Sequence, residues 1–203
     1  MKPEEMPVRD GYGRLLEDRG VWRQATTLLG AGELTARWLE GSSDYQPGIF
    51  APGFDTETDP IAADLAKINR RGLFTKESQP GLAGPGEIQR QYVTGFCSAD
   101  TAEALLTLSA GSELITVAHA PGEASSAAIP VTVAGSEVVT VLGSSENPLT
   151  AAQIKDWAAE TNDTLALLLA DSWYVEVLDP VWGRTTALLP AVLAALAALQ
   201  DDA

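Results

Sequence analysis

Apolar residues recur at helical spacing in the middle of the first half of the chain. Ile61, Leu65 and Ile68 stand at positions i, i+4 and i+7, which places them on one face of a helix. Asp59-Pro60 precedes them with a good N-cap residue and a proline suited to the first helical position. Gly72 is typical of a helix end. The pattern therefore predicts a helix between Pro60 and Gly72.

Other helices are predicted from the same periodicity and from capping signals. Asp100 with Glu103, and Thr150 with Gln153, have the spacing of a capping box at a helix N-terminus. The further helical segments are Val21–Leu39 with a break at Gly30–Gly32, Thr101–Leu108, a helix from Thr150 that carries Ile154, Trp157, Leu165 and Leu168, and Thr185–Leu199. In the first of these, Trp22, Leu28, Leu29, Leu34 and Trp38 are the residues expected to face inward.

Stretches of β-forming residues bounded by Gly and Pro alternate irregularly with these helices. The predicted strands are Gln89–Cys97, Glu113–Ala118, Ile129–Val133, Glu137–Leu142 and Trp173–Leu178. The order of elements contains no strict βαβ repeat and no clear linker. We therefore expect one α/β or α+β domain over residues 14–203, preceded by a charged, flexible N-terminus at residues 1–13.

Charge and composition narrow the range of partners. The 203-residue chain is 45% hydrophobic and carries a net charge of −15, which disfavours nucleic acid and anionic membranes as partners and mildly favours a cationic ligand. The N-terminus lacks the apolar core of a signal peptide, and the longest apolar run, residues 187–199, contains Pro190 and is shorter than the ~20 residues of a membrane span. A cytoplasmic protein is expected.

Several common chemistries have no sequence signature here. No dinucleotide-binding or phosphate-binding glycine loop occurs, and no GxSxG motif is present to supply a nucleophile. His119 is the only histidine and Cys97 the only cysteine, so neither an internal disulfide nor a zinc site is expected. We predict that Cys97 is buried and inert, and that His119 belongs to the core or a loop. No pair of carboxylates stands out as an acid/base couple.

A polar run at Thr75–Gln79 follows the helix end and only two apolar residues. One interpretation is a solvated loop. The alternative is that its hydroxyls and its amide face a ligand, since such groups can hydrogen-bond the polar groups of a small molecule.

The segment from Glu57 to Pro80 carries a series of motifs: a Glu-Thr pair, a helix ending in Ile-Asn-Arg-Arg-Gly, and Thr-Lys-Glu-Ser-Gln-Pro. This series resembles the C-terminal regulatory domain of eukaryotic-type methylenetetrahydrofolate reductase. That family has a Glu-Thr pair, a helix ending in Val-Asn-Arg-x-Gly, and Leu-Thr-Ile-Asn-Ser-Gln-Pro. QRQYVTGFCSADTAEALLTL, ELITVAH and SWYVEVLDPVWGRTTALLPAVLAAL are similar to later segments of the same family, so the resemblance extends over most of residues 33–199.

The resemblance implies a fold and a ligand. The fold would be a central mixed sheet flanked by helices, and the ligand S-adenosylmethionine or its demethylated product. The implied ligand-binding residues are Glu57, Thr58, Thr75, Ser78 and Gln79. A chain of this length has no room for the reductase barrel as well. The loop after Ser-Gln-Pro is shorter than in the family, and Lys76-Glu77 replaces its Ile-Asn.

Three functions remain open at this point. The chain could be a stand-alone S-adenosylmethionine sensor or trans-acting regulator, an enzyme that consumes the same ligand by methyl transfer or cleavage, or a relative that no longer binds it. For the enzyme, the candidate acid/base residues are His119, Glu57 and Glu77. The related reductases dimerise through this domain, which implies a homodimer, and the closing helix offers apolar residues for it: Leu189, Val192, Leu193, Leu196 and Leu199.

Overall fold

Helices and short strands alternate along the chain in the computed structural model, which describes residues 7–123, 125–144 and 150–201. The helices are α1 (Leu16–Trp22), α2 (Leu28–Leu39), α3 (Ala62–Arg70), α4 (Ala99–Ala110), α5 (Ala151–Glu160), α6 (Asp163–Ala170) and α7 (Leu188–Asp201), with a single 3-10 turn at Thr56–Thr58 before α3. The strands are β1 (Phe74–Gln79), β2 (Leu82–Gly84), β3 (Glu87–Gln89), β4 (Tyr92–Cys97), β5 (Ile115–His119), β6 (Ser126–Ala134), β7 (Glu137–Ser144) and β8 (Trp173–Leu178).

The main sheet has the strand order β1-β4-β8-β5, and each of its pairings is antiparallel. The expected α/β class and single domain with a helix-flanked sheet are confirmed, but the central sheet is antiparallel rather than mixed. Strands β4 and β5 are connected through α4 and run in the same direction. They are not neighbours, because β8 lies between them and pairs antiparallel with both. A second antiparallel sheet, β2-β3-β6-β7, lies beside the first.

Both faces of the main sheet are covered by apolar side chains. On one face, Val93, Val175 and Val177 pack with residues of α3, α4 and α7. On the other, Phe96 and Tyr174 join an aromatic cluster with residues of α1, α2 and α6. The second sheet packs nearby through a smaller group that contains Tyr92, Val131, Leu142 and Leu178. The strands β4 and β8 are therefore buried on both sides, which leaves β1 and β5 as the edges.

The closing helix uses its apolar face inside the molecule. Leu189, Val192 and Leu196 are buried in the core of the first face, and Leu193 packs partly against it. Leu199 instead lines a shallow groove between α4 and α7. Most of the residues that the sequence offered for a dimer contact thus cover the sheet of their own chain.

Several helix ends differ from the sequence predictions for local reasons. Thr27 accepts a hydrogen bond from the backbone N–H of Gly30 and starts α2, so the break in the first helical region precedes Gly30–Gly32. Leu29 is consequently exposed rather than inward-facing. Ser98, not Asp100, caps α4.

The N-termini of α5 and α3 also bear on the sequence predictions. The capping box of Thr150 and Gln153 is confirmed at α5, and the long helix expected there is divided because Asn162 caps a separate α6. Asp59 does not cap α3: it follows the 3-10 turn, and Ile61 stands at the N-cap without a side-chain hydrogen bond.

The N-terminal segment is described from residue 7 onward, and residues 1–6 of the predicted flexible region lie outside the described part. Arg9 forms an isolated antiparallel bridge with Leu15 and an ion pair with Asp44 at 2.6 Å. Residues 7–13 are therefore attached to the loop that follows α2. No helix in the described ranges is both long and apolar enough to cross a membrane.

Candidate functional site

A cleft of about 860 Å³ runs along β1, at the edge of the main sheet. Residues 75–79 of β1 line one side. The C-terminal half of α2, the loop over residues 46–55 and the 3-10 turn contribute a second side, and α5 a third. An edge strand leaves backbone groups on one side without a neighbouring strand, so such a cleft offers both side-chain and main-chain hydrogen-bonding groups to a ligand.

The cleft brings together all the residues that the sequence implied as ligand contacts. Glu57, Thr58, Thr75, Ser78 and Gln79 all line it. Gln79 Nε2 donates to Glu57 Oε1 at 3.0 Å, which joins the end of β1 to the 3-10 turn. The half-buried hydroxyl of Ser78 has no hydrogen-bond partner among the residues described. It is therefore available to a molecule in the cleft.

The polar run from Thr75 to Gln79 is a strand and not a loop. Thr75 has a partner within the fold: its Oγ1 accepts from Asn69 Nδ2 at 2.8 Å, and its backbone N–H donates to Asn69 Oδ1 at 3.0 Å. Asn69 Nδ2 also donates to the carbonyl of Leu65 at 2.9 Å. Asn69, fully buried at the end of α3, thus fastens the helix to the edge strand, and the Thr75 hydroxyl has a structural role.

The three candidate acid/base residues are not gathered in one place. Glu57 and Glu77 line the cleft, whereas His119 is not among its lining residues. His119 is buried in β5, with its Nε2 3.1 Å from Glu176 Oε2. The same carboxylate oxygen accepts the backbone N–H of Gly143 at 2.6 Å. Glu176, fully buried in β8, therefore links the two sheets, and no sequence signal had marked it.

Carboxylates dominate the charge of the cleft. Its acidic residues are Asp55, Glu57, Glu77, Asp156 and Glu160, and its lysine, Lys76, lies 3.2 Å from Glu77. Burial, together with the charges of Glu77 and Glu57, raises the pKa of Tyr92 at the cleft wall above its ordinary value. An anionic ligand would meet repulsion here, and a cationic one attraction.

Glu160 holds the loop wall of the cleft in position. Its Oε2 accepts from the Tyr45 hydroxyl at 3.2 Å and from the backbone N–H of Gly48 at 3.0 Å. Burial and the nearby Glu160 charge raise the pKa of Tyr45 to about 12. Arg14, almost fully buried, stacks on the Tyr45 ring at 4.3 Å and donates to the Ile49 carbonyl at 2.6 Å.

The sequence interpretation missed the buried end of the cleft. Trp38 of α2 and Gln46 of the following loop both line it and are 8% and 6% exposed. Trp38 was predicted to face inward but was assigned only to the core. Gln46 lies in a Ser/Pro/Gly-rich loop without periodicity, so no sequence signal marked it; in the structure it lines the cleft, and its Oε1 accepts from the Thr35 hydroxyl at 3.2 Å. Trp157 of α5 and Phe54 add aromatic surface.

Comparisons with known proteins place the chain in a family without assigning an activity. In the part of the chain that the structure describes, no three His, Cys, Asp or Glu side chains are grouped so as to hold a metal ion. A search of curated proteins finds no match to this sequence. A family profile does match, over residues 17–199, which is most of the chain. The chain belongs to the family described as a domain of unknown function, DUF6919.

Proposed function

We propose that the protein is an S-adenosylmethionine-binding module that acts as a sensor or trans-acting regulator. One observation carries the proposal. Glu57 and Thr58 are separated along the chain from Thr75, Ser78 and Gln79 by the whole of α3, yet all of them line a single cleft. These are the positions that match the ligand contacts of the similar regulatory domain.

The chemistry of the cleft supports a ligand of this class. S-adenosylmethionine carries a sulfonium and an ammonium group, both of which carboxylates such as Glu57 and Asp156 would attract. Its base and ribose need flat apolar surface and hydrogen-bonding groups, and Trp38, Phe54 and Trp157 supply such surface. The volume of about 860 Å³ lies within the usual range for small-molecule sites.

The sensor is favoured over the enzyme by the position of His119. A general base must lie within hydrogen-bonding reach of its proton, and His119 is paired with Glu176 outside the cleft lining. A sensor needs only differential affinity of the ligand for two states of the protein or its complex. Consumption of the ligand would instead make Glu57 and Glu77 the residues to test.

Calorimetric titration with S-adenosylmethionine tests the proposal. We expect binding by the wild-type protein and about fivefold weaker binding by Ser78→Ala, since one hydrogen bond contributes about 1 kcal/mol. Ser136→Ala, an exposed serine in the turn before β7, is the matched control and should bind like the wild type. Absence of both heat and a thermal shift at millimolar ligand would overturn the proposal.

Mass spectrometry of the ligand after incubation separates the two active alternatives. Intact S-adenosylmethionine across a panel of methyl acceptors, with a ligand-dependent change in assembly, supports the sensor. An enzyme would be identified instead if the wild-type protein consumed the ligand and the Glu57→Gln variant still bound the ligand but no longer consumed it.

The homodimer and the cytoplasmic compartment are part of the same proposal and rest on the sequence arguments alone. Light scattering coupled to size exclusion, with and without S-adenosylmethionine, measures the assembly directly. A mass of one chain under both conditions would contradict the dimer.

A further inference from the structure

The buried end of the cleft differs chemically from its mouth. The buried residues that line the cleft are neutral: Thr35, Trp38, Leu39, Gln46, Pro47 and Leu65, together with Thr75 and Tyr92 of the strands β1 and β4. Of the carboxylates in the same cleft, Asp55, Glu57, Glu77 and Asp156 are exposed, whereas Glu160 is half-buried and accepts the backbone N–H of Gly48. A molecule that occupied the whole cleft would therefore meet neutral polar and apolar groups at one end and negative charge at the other.

Two hydrogen-bond donors of residues that line the cleft, of which the Trp38 indole N–H is the buried one, have no acceptor among the described residues. The Nε1–H of Trp38 is buried and has no partner within the described ranges. Gln46 Oε1 accepts from the Thr35 hydroxyl at 3.2 Å, but its Nε2 donates to no group in the described chain. By contrast, the buried Nε1–H of Trp22 donates to the Tyr45 carbonyl at 3.2 Å.

A buried donor without a partner, such as the Trp38 indole N–H, is costly because it has lost its hydration and gained no hydrogen bond in return. Buried polar groups in folded proteins usually find a partner, so the buried Trp38 Nε1–H indicates an acceptor that the described chain does not itself supply. The Gln46 amide, which lines the same cleft, has a free donor for the same molecule. Both donors here are neutral. A carboxylate transferred to this end would lose its hydration, and the buried Arg14, whose Nη1 lies 3.5 Å from the Gln46 carbonyl oxygen, is already paired with Asp10 and Glu160.

A neutral, flat ring with acceptor nitrogens satisfies these conditions. Leu39 and Leu65 supply apolar surface, and the Trp38 ring packs edge-on against Phe54 at 5.5 Å. We infer that the buried end of the cleft is a nucleobase subsite, in which the Trp38 indole N–H and the Gln46 amide donate to ring nitrogens of a purine. This inference rests on the proposed function and orients its ligand: the base lies inside, and the cationic sulfonium and ammonium groups lie near the carboxylates.

Calorimetry with two ligands tests the assignment. The probes are S-adenosylmethionine and 5′-methylthioadenosine, which keeps the base and ribose but lacks the amino-acid group and the sulfonium charge. The variants are Trp38→Phe and Gln46→Leu, each of which removes a donor. Trp182→Phe is the control for loss of an indole N–H, because Trp182 stacks on Arg90 at 4.3 Å and does not line the cleft.

We expect each cleft variant to weaken both ligands by the same factor, about five- to twentyfold, and the control to change neither. Thermal melts of each variant establish that it is folded. Equal affinities of wild type and both variants for 5′-methylthioadenosine would overturn the subsite, as would failure of the wild type to bind this probe. Binding of 5′-methylthioadenosine but not of S-adenosylmethionine, with loss in both variants, would support the subsite and overturn the proposed function.

Discussion

Replacement of Thr75 by valine should destabilise the fold, although the residue lines the candidate ligand cleft. The change keeps the shape of the side chain and removes Oγ1, which accepts from Asn69 Nδ2 at 2.8 Å. The other hydrogen of that amide still reaches the Leu65 carbonyl at 2.9 Å, and the Thr75 backbone N–H still donates to Asn69. One hydrogen of a fully buried amide is thus left without an acceptor.

The expected cost follows from that single lost bond. A buried donor without a partner destabilises a protein by roughly 1–3 kcal/mol, so we take about 2 kcal/mol for this site. In a domain of roughly 150–250 residues, each kcal/mol shifts Tm by about 2–4 °C. Thr75→Val should therefore lower Tm by about 4–8 °C and lower the urea midpoint without changing the m-value.

Two neighbouring variants make this measurement specific. Thr75→Ser keeps the acceptor oxygen and should recover most of the lost stability. Ser78→Ala lies in the same strand, but its hydroxyl has no partner among the described residues, so its Tm should stay within about 1 °C of wild type. The reasoning would be refuted if Thr75→Val melted like the wild type, or if the serine variant lost as much stability as the valine variant.

Three further predictions concern the packing around the cleft. Gly32→Ala would place a Cβ in steric conflict with the backbone oxygen of Asn69. We therefore expect overpacking between α2 and α3 to lower the free energy of unfolding by roughly 1–3 kcal/mol, measured by urea titration; unchanged stability would contradict that close approach. Arg14→Met removes the buried guanidinium that holds the Ile49 carbonyl, and should speed limited proteolysis of the loop after α2; wild-type cleavage rates would show that the loop is held by other contacts. Burial raises the pKa of Cys97 to about 12, so a thiol reagent at pH 8 should leave the native protein unmodified and react fully in denaturant, whereas rapid native labelling would disprove the burial.

Local sequence determined the elements whose signals lie within a few residues of one another. The spacing of Ile61, Leu65 and Ile68 places all three in the core, as periodicity predicted. The capping box at Thr150 forms as its sequence indicates, and Trp173–Leu178 has the predicted bounds of a strand. Burial of Cys97 also followed from its place at the end of a strongly apolar strand. Helix caps and side-chain periodicity act over one or two turns, so such features can be inferred without knowledge of the fold.

The arrangement of these elements was decided only by contacts between distant parts of the chain. The polar run after α3 has no local signal for a strand, and it becomes one because β4 pairs along it while Asn69 satisfies its first backbone N–H. Likewise, β8 separates β4 from β5, and its Glu176 meets His119 57 residues away.

The candidate site, too, was predicted in part from local sequence and in part became visible only in the tertiary structure. The motif around α3 identified residues on both sides of the cleft, such as Glu57 and Ser78, because one short segment supplies them. Trp38 and Gln46 could not be assigned to it, since they precede that segment and reach the cleft only through the packing of α2 against α3. Strand order and cleft walls depend on which surfaces exclude water together, and that is a property of the whole folded chain rather than of any short stretch of its sequence.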